Sequence, residues 1–108
     1  MDFELIELLK DLDSIQFLYV DLDVTQNGWT TDNARLCLDI YGVTAECMDY
    51  DFPDEAKKLL MDIYFNNLPY ARALHNGAKL KDEEFLLPPW ERVELIKSKL
   101  VKIGKGEC

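Results

Sequence analysis

At Pro53 the spacing of apolar residues changes, and that change constrains the fold more than any single motif. Beyond it, Ala56, Leu59, Leu60, Ile63 and Tyr64 recur at i, i+3, i+4, i+7 and i+8, the pattern of one helical face. Asp54 and Glu55 stand where the positive end of a helix dipole favours carboxylates. Before Pro53, "SIQFLYVDLDVT" alternates. Leu18, Val20, Leu22 and Val24 fall on one side and Phe17, Tyr19, Asp21, Asp23 and Thr25 on the other, the period of a half-buried strand. One chain carrying both periods is expected to be α+β.

The remaining segments are assigned around that boundary. "FELIELLKDL" sets Leu5, Ile6, Leu8, Leu9 and Leu12 on one broad face, a short helix within 1–13 that Ser14 ends. "QNGW" is a turn signal, because Asn-Gly readily adopts positive φ. "NARLCLDIYG" fits a helix through Ala34, Cys37, Leu38 and Tyr41 closed by Gly42, or a strand through Ala34, Leu36, Leu38 and Ile40. Strand is preferred, since the first strand needs partners and "VTAECMDYDF" also alternates.

The expected architecture is a short N-terminal helix, a small antiparallel three-stranded meander over 15–51 with turns near Asn27 and Gly42, then two or three C-terminal helices. Within 53–76, Pro69 kinks or restarts the helix and Gly77 ends it. "AKLKDEEFLL" is a charged connector, Pro88 and Pro89 open a helix over 88–103, and the tail 104–108 frays. No repeat, low-complexity tract or linker divides the 108 residues, so they read as a single domain.

Charge is distributed unevenly. The net charge is −9, but residues 1–54 hold thirteen acids against Lys10 and Arg35, net −11, while 55–108 hold eight acids and ten bases, net +2. An acidic half repels phosphate, which argues against direct nucleic-acid binding and favours a basic protein partner reached by electrostatic steering. No apolar run approaches the ~18 residues of a membrane span, and the acidic start "MDFELIELLKDLD" is unlike a signal peptide, so no membrane association is expected. Cys37, Cys47 and Cys108 form neither an even set nor a C-x-x-C pair. They read as reduced thiols of a cytoplasmic protein.

Several chemical motifs come close and fail on particular residues. "LYVDLDVT" resembles the opening motif of the haloacid dehalogenase family, which implies Asp21 as nucleophile, Asp23 as general acid/base and magnesium as cofactor. The glycine usual after the second aspartate is Val24 here, and beyond Gly28 strands and helices do not alternate as that fold requires. Read as a calcium loop from Asp21, position 6 is Gln26 rather than glycine and position 12 is Asp32 rather than glutamate. His75, the single histidine, sits at a helix end beside Asn76 and Gly77, a place that suits dipole compensation. A helix-turn-helix echo around Gly42, Val43 and Thr44 would present Glu46, Asp49 and Asp51 to phosphate. No catalytic residue, metal site or cofactor is expected.

Aromatic anchors ringed by carboxylates suit a basic protein pocket, and Tyr19, Asp21, Asp23, Asp39, Tyr41, Asp49 and Asp51 are the expected partner-binding residues. In layout and charge the chain is similar to phage-encoded inhibitors of host defence, including anti-CRISPR proteins that imitate nucleic-acid charge, and to bacterial toxin-immunity proteins. That resemblance implies a non-enzymatic inhibitor of a nuclease or other nucleic-acid-binding protein. The alternatives are a homodimeric assembly module, pairing through its sheet edge or the Trp90 helix, and a small magnesium-dependent phosphohydrolase using Asp21 and Asp23.

Overall fold

In the computed structural model, which describes residues 2–80 and 87–106, Ser14 does not end the first helix. Helix α1 (Asp2–Ile15) passes directly into a π-helical segment (Gln16–Asp21) and then α2 (Leu22–Asn27). The π geometry shows in the Leu22 N–H, which donates to the Phe17 carbonyl five residues back. Burial follows a helical stripe through Leu5, Leu9, Leu12, Ile15, Gln16 and Val20, while Leu18 and Leu22 are 50% and 38% exposed. The alternation that suggested a strand is therefore broken at two of its four apolar positions.

The chain reverses at Gly28, whose φ of 72° is the positive value expected of the Asn-Gly pair. The next element is a helix, α3 (Thr31–Cys47). Thr30 and Asn33 form a capping box: the Thr30 hydroxyl accepts from the Asn33 N–H at 3.1 Å, and the Asn33 side-chain oxygen accepts from the Thr30 N–H at 2.9 Å. Gly42 lies inside α3, so neither the second hairpin turn nor the helix-turn-helix turn exists. The meander expected over 15–51 is thus corrected to helix, and among the described residues there is no β-strand. The chain is all-α, not α+β.

After the loop 48–53, α4 (Asp54–His75) runs through Pro69 without interruption. It stops in a Schellman arrangement, with Gly77 at φ 88°, the Gly77 N–H donating to the Leu74 carbonyl and the Ala78 N–H to the Ala73 carbonyl. The final helix α5 (Leu87–Gly104) occupies the expected segment. Of the connector and tail, 81–86 and 107–108 lie outside the described residues.

α1 and α3 each pack against both α4 and α5. Arg35 near the start of α3 lies over the Trp90 ring near the start of α5, and Tyr50 just beyond α3 abuts Gly104 at the end of α5, so α3 and α5 run parallel. Asp11, late in α1, pairs with Arg92, early in α5, so those two run antiparallel. Trp29 ahead of α3 meets Tyr70 late in α4, and Tyr41 meets Tyr64, so α3 and α4 are antiparallel. The result is a four-helix bundle in which α3 has one antiparallel neighbour, α4, and one parallel neighbour, α5. Its core includes Leu9, Leu12, Ile15, Ile40, Ile63 and Leu100, all fully buried. Truncating any one of these leucines or isoleucines to alanine costs about 2–5 kcal/mol.

Candidate functional site

The helical fold distributes the seven expected binding residues over several places. Asp23 sits at the α2–α3 corner, where one carboxylate oxygen accepts from the Asn27 amide and the other from the Asn33 amide at 3.0 Å. Asn33 also donates to the Gly28 carbonyl at 2.8 Å, so the carboxylate, the amide and the capping box form one bracket around the chain reversal. Asp21, one turn before Thr25, contributes its backbone carbonyl to the Thr25 hydroxyl at 2.8 Å. Tyr19 is half-buried against the core.

Asp39 and Tyr41 leave α3 on opposite sides. Asp39 is half-buried in a polar cleft with Glu94 and Lys97 of α5. Burial raises its carboxyl above the ordinary value and Glu94 adds to the effect, while Arg35 and Lys97 oppose it. Tyr41 faces α4 and stacks on Tyr64, ring centroids 5.1 Å apart and hydroxyls 3.1 Å apart. That hydrogen bond is the main reason its phenol is raised.

Asp49 and Asp51 lie beyond the far end of α3. Asn33, which holds Asp23, and Cys47 are fourteen residues apart on that helix, about 20 Å at 1.5 Å per residue. Asp23 therefore cannot share a small contact patch with Asp49 and Asp51.

Two surfaces emerge in place of the expected sheet face. The first is the end of the bundle where α3 gives way to α4. Glu46, Asp49, Asp51, Asp54 and Glu55 are all exposed there, and 46–55 contains no basic residue. The last turn of α3 carries no basic side chain either, so its negative dipole end adds to the field. Lys57 reaches Asp51 at 3.4 Å, but the Asp51 side chain stays fully exposed. Tyr50, whose hydroxyl lies 3.4 Å from Glu46, has its phenol raised by burial and then by Glu46. The concentration of acids in this stretch was readable in the sequence; its isolation at one end required the helices.

The second surface is apolar, and sequence reasoning missed it. Along the outer side of α4, Met61 and Phe65 are 45% and 52% exposed, and across the seam Leu38 of α3 is 49% exposed. Leu38, Tyr41, Leu68, Ala71, Arg72 and His75 line a shallow cleft of about 610 Å³ there. The signal was present in α4, where Met61, Phe65 and Leu68 form a second apolar stripe opposite the buried Ala56, Leu60 and Ile63.

Among the described residues no group of three or more His, Cys, Asp or Glu is placed to hold a metal ion, and no helix is long and apolar enough to cross a membrane. Cys37 and Cys47 are buried free thiols, each pushed up to about 12 by burial. The strand that the dehalogenase-type resemblance implies at Asp21 and Asp23 is helix. The layout shared with the phage inhibitors and immunity proteins loses its sheet as well. No family model, no curated protein and no solved structure matches this chain.

Proposed function

We propose that this chain is a non-enzymatic binding protein whose acidic end docks on, and blocks, a basic surface of another protein, of the kind that otherwise holds nucleic acid. The observation that carries the reading is the set of five exposed carboxylates in 46–55 without an intervening base. Exposed charges contribute little individually, so here they steer encounter and select the partner. Met48, 39% exposed, and the half-buried Tyr50 lie among them and provide apolar contact area. Asp23 then serves the fold of the α2–α3 corner rather than a reaction, because both its carboxylate oxygens are already engaged by amides. Blocking a nuclease or a defence protein fits this chemistry, since a surface built for phosphate is also complementary to carboxylates.

The test is a pull-down from the native host's lysate at about 50 mM and about 500 mM salt, conditions that bracket strong and weak screening. The parent is compared with the variant Glu46→Lys, Asp49→Lys, Asp51→Lys. A basic nucleic-acid-binding protein recovered by the parent at low salt only, lost with the variant and displaced by nucleic acid, supports the reading. A partner retained equally at both salts, or equally by the variant, sinks it.

A further inference from the structure

The outer line of α4 has a symmetry of its own. Asp54, Met61, Phe65 and Arg72 are spaced 7, 4 and 7 residues apart, and all four are exposed. Seven residues are close to two turns and the eighteen from Asp54 to Arg72 are five, so the four side chains share one face opposite the core. The spacing is palindromic about the level of Ile63. The apolar residues are alike across that centre, and the charges are opposite. A surface that is symmetric in apolar character and antisymmetric in charge is complementary to itself under a two-fold axis.

We infer that α4 is a homodimerisation surface, packing antiparallel against α4 of a second copy of this chain with the axis crossing at the level of Ile63. In that register Met61 meets Phe65 of the second copy, a favourable sulfur–aromatic contact, and the same contact recurs across the axis. Asp54 meets Arg72 of the second copy, also twice. Neither Asp54 nor Arg72 forms an ion pair with a described residue of its own chain, so both are available. Lys58 comes over Leu68 of the second copy, where its aliphatic stem covers the leucine while the ammonium stays in water. The cleft beside Leu38 and Tyr41 flanks this line and closes along with it.

A second copy is favoured over an unrelated helix because the charge reversal and the 7-4-7 spacing coincide about one point. A groove for a foreign peptide has no reason to be palindromic. The dimer engages Asp54, which also belongs to the acidic end, but the lead variant, Phe65→Glu, leaves 46–55 unaltered, so loss of the dimer and loss of partner binding are read separately.

Sedimentation equilibrium of the full chain over about 1–200 μM is the direct test. The parent is expected to dimerise, and Phe65→Glu to weaken dimerisation at least about 30-fold, as expected for an aromatic anchor replaced by a buried charge. Circular dichroism checks that the variant stays helical. Register and direction are tested by a charge exchange. Asp54→Lys with Glu55→Lys forms one variant and Arg72→Glu with His75→Glu the other; each alone sets like charges against like and is expected to dimerise about tenfold or more weakly. Mixed, the two are expected to form a heterodimer close to parental affinity. A parent that is monomeric throughout, a dimer indifferent to Phe65→Glu, or a mixture that fails to recover would each overturn the inference.

Discussion

Replacing Asn33 with alanine removes more than its position at a helix start suggests. The side chain is 1% exposed and makes three hydrogen bonds: it accepts from the Thr30 N–H at 2.9 Å and donates to the Gly28 carbonyl at 2.8 Å and to the Asp23 carboxylate at 3.0 Å. A neutral bond contributes about 0.5–1.5 kcal/mol and one to a charged group about 1.5–3. Gly28 and Asp23 are only half-buried, so water recovers part of the loss, whereas Thr30 is buried at 3% exposed. The net expectation is about 2–4 kcal/mol. Against a typical domain stability of about 5–15 kcal/mol this is a large fraction.

Thr30→Ala loses a single capping acceptor and should cost about 1 kcal/mol. Urea denaturation at neutral pH, followed by helical circular dichroism with the slope checked for constancy, measures both. The double variant should cost less than the sum, because the two residues share the box. A loss below about 0.5 kcal/mol for Asn33→Ala would show that the bracket at the α2–α3 corner does not hold the chain reversal in place. Asp23→Asn disturbs a structural carboxylate and is therefore a poor probe of partner binding.

Gly104→Ala should be destabilising although alanine is the better helix former by about 1 kcal/mol. A Cβ there would be driven directly into the Tyr50 ring, which is itself braced edge-on by Phe52. Overpacking of this kind costs about 1–3 kcal/mol, read as a lower urea midpoint, and Tyr50→Ala in the same background should remove the penalty. Asp13→Asn should stabilise. Burial, then Asp62, raise the Asp13 carboxyl, so the folded state holds this proton more tightly than the unfolded chain. The resulting stability is present below the unfolded value near 4 and lost as pH rises through the folded one. At pH 7 the asparagine variant should therefore be the more stable, by a small margin because the site is exposed, and the gain should shrink toward pH 4. An equal gain at both pH values would contradict the assignment.

The downstream helices were legible because their apolar stripes and end signals agree: acids at the start of α4, Gly77 in the left-handed conformation after it, paired prolines at the start of α5. Residues 15–51 were not, for two reasons. Phe17, Tyr19 and Val20 are residues that sheets favour, yet bundle packing overrode that preference, because α1 extended its buried stripe past Ser14 through Ile15, Gln16 and Val20. In α3 both periods fitted and Leu38 belonged to both; what separates them is that Cys37, which a strand would turn away from Leu36 and Ile40, is buried with them and with Val43 and Cys47 on one helical arc. Thr30-x-x-Asn33 was the local clue, an unusual capping box with asparagine in place of the common glutamate. Of the binding surface, the acid-rich stretch around Asp49 and Asp51 could be read from composition. That Tyr41 faces α4 while Asp39 faces α5 could not, since it depends on a helix where a strand was expected.

The π-helical segment Gln16–Asp21 acts as a phase adjuster for everything after it. In an α-helix each residue turns the chain by about 100°, so a helix that accommodates an extra residue in a widened turn re-aims its downstream side chains. Here the re-aimed side chain is Asp23, which meets Asn33 only in the present rotation. Shortening the chain by one residue within 16–21 would let the first helix close into regular geometry and even remove an irregular turn. It would also swing the carboxylate away from the corner it holds. The molecule thus tolerates substitutions in this stretch, such as at exposed Phe17 and Leu18, far better than it tolerates a change of length.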